Sequence, residues 1–348
     1  MSERIFAQAD SVRARLKNQP PTMPAPASGG PDSHIAWRRE FIRNLKRQLG
    51  PTPDPVPLNA GITQKTDCGT YIRERVVFDS EEFMSVPAWV LSPKGLKPGQ
   101  KCPALLCAHG HGIGKDSLVG VSATTGEPSP EDGSEDYQHR YPVTFAERGY
   151  VTICPDWRGF GERIDDREWV RGSRDPCKIS YLASGYFGYH LLALEIMDGM
   201  RTLDYLVSRD DVDSRKIGCL GVSFGGTMTT YLGALDRRIK ACVIGCYLST
   251  LSDGLDRGNT CGAQYMPGLR VIGDVADVTA LIAPKPLLAE IGENDTCFLV
   301  DDAMTAYRRV EAAYANLGCP EKTAVDRFDG PHEFSGKMAF DWFDRWLK

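Results

Sequence analysis

The chain has 348 residues, 42% of them hydrophobic, which is enough to bury one large core, and we expect one catalytic domain (71–348) preceded by an N-terminal extension (1–70). Its 41 basic and 46 acidic residues are interspersed to a formal net charge of -5, with no basic stripe of the kind a phosphate backbone requires, so nucleic acid is not an expected partner. The charged N-terminus lacks the apolar stretch of a signal peptide, no transmembrane span is apparent, and the eleven cysteines contain no CxxC pair. Cys107, Cys154, Cys219 and Cys242 lie in apolar runs, and the set reads as reduced core thiols of a cytoplasmic protein with no membrane partner.

In chain order, a short amphipathic helix comes first. Residues 18–33, rich in Pro, Gly and Ser, then read as a linker or draped arm without regular structure. A helix over 35–49 stops at Gly50-Pro51. From 71 to 91 the pattern is an antiparallel strand pair around a polar turn at 80–82, with Ile72, Val76 and Phe78 on one face and Arg73 and Arg75 on the other. Strand-like runs follow at 104–108, 150–154, 217–222, 241–246, 287–291 and 324–328. Helical stretches fall near 141–148, 186–207, 225–235, 302–317 and 336–347. This alternation predicts an α/β fold, a mostly parallel central sheet flanked by helices. Long insertions at 115–140 and 164–184 are expected over the carboxyl edge of the sheet, where they would shape access to a site.

Gly221-Val222-Ser223-Phe224-Gly225 fits GxSxG between a strand-like and a helix-like run, the setting of a nucleophile elbow in an α/β-hydrolase. A serine hydroxyl needs a base to take its proton. Of six histidines only His332 follows Ser223, and this fold orders its triad nucleophile, acid, base along the chain. The acid that orients the imidazole is read as Asp295, in the turn after the run 286–291, with Glu293 and Asp253 as rivals. The oxyanion donors are assigned to the backbone N–H groups of Phe224 and of His111 in His109-Gly110-His111-Gly112. The two histidines of that loop, without a further Cys, His or carboxylate cluster, make a thin metal-ligand set, and no metal or cofactor is expected. After 150–154 comes the run PDWRGFGER, in which Asp156 and Arg158 are expected to form an ion pair that fixes the loop.

HGHG, PDWRGFGER, SRDDVDSRKIGCLGVSFGG, ALDRRIKACV, Tyr265-Met266-Pro267-Gly268-Leu269 and LIAPKPLLAEIGEND resemble bacterial α/β-hydrolases of the acetyl xylan esterase and dienelactone hydrolase-like group, over roughly 71–348. The resemblance implies a Ser-Asp-His triad falling on Ser223, Asp295 and His332. Dienelactone hydrolases carry a cysteine nucleophile where this chain has Ser223, so lactone specificity is not implied. The expected activity is cleavage of a small-molecule carboxylic ester, acetyl or another short acyl, through an acyl-enzyme. The alternatives are an amidase, a peptidase-like enzyme or a carbon–carbon bond hydrolase using the same triad. A non-catalytic binding protein is disfavoured by the three triad types standing in order, and dehalogenase or epoxide hydrolase chemistry by the serine nucleophile. If the N-terminal helices pack over the site they would restrict substrate size; the other reading open to them is contacts in a homo-oligomer.

Overall fold

A computed structural model of the chain describes residues 4–122, 137–164, 176–257 and 261–348. Its centre is a nine-stranded sheet ordered β1-β2-β3-β5-β4-β6-β7-β8-β9. The strands are β1 (Gly61–Asp67), β2 (Tyr71–Glu81), β3 (Met84–Pro93), β4 (Cys102–Ala108), β5 (Val151–Pro155), β6 (Val212–Val222), β7 (Ile239–Gly245), β8 (Leu287–Gly292) and β9 (Thr323–Phe328). The pairs from β1 to β3, and β3 with β5, are antiparallel, and every pair from β5 through β4 to β9 is parallel. The helices are α1 (Gln8–Asn18), α2 (Gly30–Leu49), α3 (Lys115–Val119), α4 (Tyr141–Glu147), α5 (Pro176–Tyr186), α6 (Leu191–Ser208), α7 (Phe224–Leu235), α8 (Leu251–Arg257), α9 (Leu269–Ile272), α10 (Val275–Ala280), α11 (Val300–Asn316) and α12 (Ala339–Leu347).

Strand parity divides the buried side chains between two cores. On β4, Ala104, Leu106 and Ala108 join the core on the face covered by α2, α6, α7 and α11. Leu105 and Cys107 join the core on the other face, with Tyr141 and Phe145 of α4 and Phe343 and Leu347 of α12. With both faces covered, the inner parallel strands β4, β5, β7 and β8 and the second half of β6 are largely apolar, which is why their runs stand out in the sequence. β4 has β5 on one side and β6 on the other, so the chain reverses its direction of travel across the sheet there. Such a switch point opens a crevice at the carboxyl ends of the strands.

Two local expectations change. The helix expected from residue 35 starts at Gly30, inside the stretch read as irregular, because Pro31 at a helix start loses no intrahelical hydrogen bond. The helix expected over 186–207 starts only at Leu191, as α6, after a turn from α5 in which Gly188 takes φ 79°. Arg73 lies on the face opposite Val76 and Phe78, as parity predicts, and is buried there, its guanidinium 4.9 Å from the centroid of the Trp89 ring.

The N-terminal segment packs closely against the rest. Phe41, Leu45 and Leu49, at helical spacing on α2, are buried in the first core, and β1 is the edge strand of the sheet. The Pro-rich stretch is a draped arm. The N–H groups of Thr22 and Met23 donate to the carbonyls of Val271 and Ile272, both at 3.0 Å, and Ala25 N–H donates to Asp277 Oδ1 at 2.8 Å. Asn316 accepts from Gly30 N–H and donates to Pro26 O, at 2.7 and 3.0 Å.

Candidate active site

Ser223 stands between the end of β6 and the start of α7 with φ 60° and ψ −121°, a conformation that L-residues rarely hold and that costs on the order of 1–3 kcal/mol. The surroundings impose it. Ser223 N–H donates to Gly245 O of the neighbouring strand at 2.9 Å, and its carbonyl accepts Thr227 N–H of the first turn of α7 at 3.1 Å. A Cβ at Gly225 would strike the Ala108 carbonyl, and one at Gly221 would meet the Gly225 backbone, so the turn closes only with glycine on either side.

Asp295 lies in the turn after β8, buried, with Oδ1 accepting the N–H groups of Cys297 and Phe298 at 2.7 and 2.9 Å. Its Oδ2 is 2.8 Å from Nδ1 of His332, in the loop after β9. Burial opposes ionisation of this carboxyl, but the hydrogen bond and charge of His332 and the two backbone donors outweigh it and hold its pKa below the usual value. A carboxylate can only accept, so Nδ1 is the donor, and in the neutral imidazole Nε2 is then the nitrogen with a free lone pair. The rival carboxylates are engaged elsewhere: Glu293 pairs with Arg327 at 3.1 Å and Asp253 with Arg257 at 3.3 Å.

The end of β7 connects this pair to the elbow. Gly245, which accepts from Ser223 N–H, is followed by Cys246, whose thiol lies within 4.8 Å of the facing Asp295 and His332 ligand atoms. The His332 ring is flanked by Tyr137 and Phe298, each with centroids 5.7 Å away and planes within 29° and 21° of its own. No hydrogen bond joins Ser223 Oγ to His332 among the described residues. Contacts of this kind often tighten only with substrate bound.

The loop after β4 is held from several sides. His109 is buried, its Nδ1 donating to Gly110 O at 2.7 Å and its Nε2 accepting Trp157 N–H at 3.1 Å. Burial lowers its pKa to about 3, so it is a neutral structural imidazole. Gly110 N–H donates to Gln138 Oε1 at 3.0 Å, and Gln138 is itself bonded to Ser117 Oγ at 3.0 Å. Tyr137 O–H donates to His111 O at 3.0 Å, and the His111 ring stands edge-on to Phe160 and Phe224. The backbone N–H groups of His111 and Phe224 donate no hydrogen bond among the described residues. Tyr137 and Gln138 were not singled out by the sequence, because nothing in their local pattern shows that they fold back on this loop.

The expected Asp156–Arg158 ion pair does not form. Asp156 accepts the Lys115 ammonium at 3.0 Å and the N–H groups of Lys115 and Glu162 at 2.7 and 3.0 Å. Arg158 makes a two-pronged bond to Asp198 of α6, at 2.8 and 3.0 Å, and reaches Glu81 at 2.8 Å. Both residues brace the loop after β5 from beneath. Of the two expected insertions, α3 and α5 are described, whereas 123–136 and 165–175 lie outside the described residues.

The sequence profile of the Abhydrolase family matches residues 2–326, most of the chain, with Ser223 and Asp295 inside the match. The chain belongs to the Abhydrolase family. Because the match begins at residue 2, it takes in the draped arm and α2 along with the sheet. This abhydrolase is 28% identical over 322 residues, 89% of the chain and 100% of the relative, to a Bacillus subtilis (strain 168) protein named "Putative hydrolase YtaP". Among solved structures it resembles a "putative acetyl xylan esterase" from Bacteroides fragilis NCTC 9343, at TM-score 0.78 and 19% identity, covering 93% of this chain and 83% of that one. It also resembles a glucuronoyl esterase from Solibacter usitatus, at TM-score 0.64 and 14% identity, covering 94% and 96%. At these identities the structural likeness speaks to the α/β-hydrolase fold. No helix among the described residues of this abhydrolase is long and apolar enough to cross a membrane.

Proposed function

We propose that this abhydrolase is a serine carboxylesterase acting on acetyl or other short acyl esters, with Ser223 as nucleophile, His332 as general base and Asp295 as the acid that orients it. The observation that carries the reading is the Asp295–His332 bond, which makes Nδ1 the donor and so turns Nε2 into the basic nitrogen of a neutral His332, in a loop beside the strand that anchors the strained Ser223 turn. His332 Nε2 takes the Ser223 proton as Oγ attacks the ester carbonyl. The tetrahedral oxyanion is received by the N–H groups of Phe224 and His111, and collapse returns the proton to the leaving alcohol. Water, deprotonated by the same nitrogen, then releases the acid from the acyl-enzyme. No cofactor enters this scheme.

Solved structures that share the fold carry esterase names, acetyl xylan esterases among them, which supports an acetyl or other short acyl ester.

The test is release of p-nitrophenol from acetate, butyrate and octanoate esters by the wild type and Ser223→Ala, with a fluorophosphonate label located by mass spectrometry. The expected result is labelling of Ser223, fastest turnover on acetate, and a fall of about 10⁴-fold or more in the variant. Turnover surviving in Ser223→Ala overturns the assignment. Labelling of Ser223 without ester turnover moves the reaction to an amide or carbon–carbon bond.

A further inference from the structure

The oxyanion loop contributes a histidine ring that the reaction above does not use. His111 donates its backbone to the proposed site, while its imidazole turns away toward α5, where Nε2 lies 3.7 Å from the Cys177 thiol. Cys261, in the segment after α8, completes a group whose three ligand atoms all lie within 4.8 Å of one another. The two cysteine-bearing segments are tightly apposed. A Cβ at Gly262 would stand 3.0 Å from Cys177 O and 3.1 Å from Lys178 Cα, and Tyr181 of α5 packs edge-on against Tyr265. Neither cysteine is in a disulfide.

We propose that His111, Cys177 and Cys261 form a binding site for one thiophilic divalent cation of the zinc type. In a tetrahedral zinc site, Zn–N and Zn–S bonds of about 2.05 and 2.3 Å place the two ligand atoms roughly 3.6 Å apart. The His111–Cys177 separation already has that value to within about 0.1 Å, and Cys261, within 4.8 Å of both, reaches it with a side-chain adjustment of at most about an ångström. Two sulfurs and an imidazole select zinc, cadmium or cobalt over magnesium or calcium. The fourth position remains for water or an anion.

His109 takes no part, since both its ring nitrogens are engaged by the backbone. The thin ligand set visible around HGHG is thus completed by two cysteines distant in sequence. Beside Cys177 lies Glu195 of α6, fully buried, with neither carboxylate oxygen hydrogen-bonded among the described residues. On binding, the two thiols release their protons to solvent, and the cation accepts one lone pair from each thiolate and one from Nε2, with no change of oxidation state.

The test is titration of the reduced full-length protein with cobalt(II) in the absence of oxygen. The expected result is one equivalent bound, with tetrahedral visible bands and a near-ultraviolet thiolate-to-cobalt charge-transfer band, all abolished by equimolar zinc. The charge-transfer band should be lost in Cys261→Ser and retained in Ser223→Ala and His332→Ala, which separates this site from the Cys246–Asp295–His332 group and from the esterase reading. No charge-transfer band in the wild type, or an undiminished one in Cys261→Ser, overturns the proposal. Because Cys177 is fully buried and its variant risks misfolding, the second readout is alkylation of half-buried Cys261 in the folded wild type. Zinc should slow it at least about tenfold, and an unchanged rate also overturns the proposal.

Discussion

Asp295 uses both carboxylate oxygens, one on the two N–H groups that fix its turn and one on His332, and the proposed chemistry depends on the second being an acceptor. Asp295→Asn keeps the shape but can present an N–H to Nδ1, which moves the imidazole proton to Nε2 and removes the base. We expect kcat to fall about 10⁴-fold with the thermal melt little changed, and a kcat within tenfold of wild type would place the acid elsewhere. Glu290, at the end of β8, is buried and accepts Gly336 and Ser335 N–H at 3.0 and 3.3 Å, in the loop that carries His332. Burial, with Asp326 adding to it, pushes its pKa up to about 8. The native state therefore holds this proton more tightly than the unfolded chain, and the stability it confers is present at low pH and lost as pH rises through about 8. Relative to Glu290→Gln, the wild type should lose ground in urea unfolding between about pH 5 and pH 9, and a constant difference would show that Glu290 titrates alike in both states. Ser223, His332 and Asp295 could be named from the sequence because turn chemistry and chain order single them out. Gln138, Tyr137, Cys177 and Cys261 could not, since each is brought beside the HGHG loop only by the fold, from positions far away in the chain.

Elements are held in place by buried charge as well as by apolar packing. Asp198 of α6 faces Arg158 in a two-pronged bond and Arg163 at 2.8 Å, so one carboxylate ties a helix to the loop after β5. Asp198→Ala leaves two buried guanidinium groups without that partner and should cost about 3–5 kcal/mol, read as a lower urea midpoint. A loss under about 1 kcal/mol would mean that the loop relaxes enough to solvate them. The sequence suggested Asp156 as the partner because it is two residues away, yet both its oxygens are taken up by Lys115 and Glu162. Buried elements were the most legible: β4 to β8 carry largely apolar buried segments, and each overlaps a run read as a strand. The edge strand β1, GITQKTD, was not, because an exposed strand needs no apolar pattern to pair with β2.

For the whole molecule, the decisive packing is that of α2 against the sheet domain. Phe41 lies in the same core as α9 and α10, at 0% exposure, and its ring blocks any Cβ at Gly273. Phe41→Ala should cost about 3–5 kcal/mol and still give one unfolding transition by circular dichroism and tryptophan fluorescence. Two separate transitions would show the first 70 residues to be an independent unit. The α/β layering was legible from the alternation of runs, whereas the attachment of the N-terminal segment was not, since its hydrogen bonds go to residues about 250 to 290 positions later. That separation has a consequence during translation. The arm leaves the ribosome before the segments that receive it: Asp277 and Asn316 follow only after roughly 15–60 s at ordinary elongation rates. Until then the face of α2 that carries Trp37, Phe41 and Leu45 has no core to enter, so the apolar surface that later closes the fold is the surface the nascent chain must keep from non-native contacts.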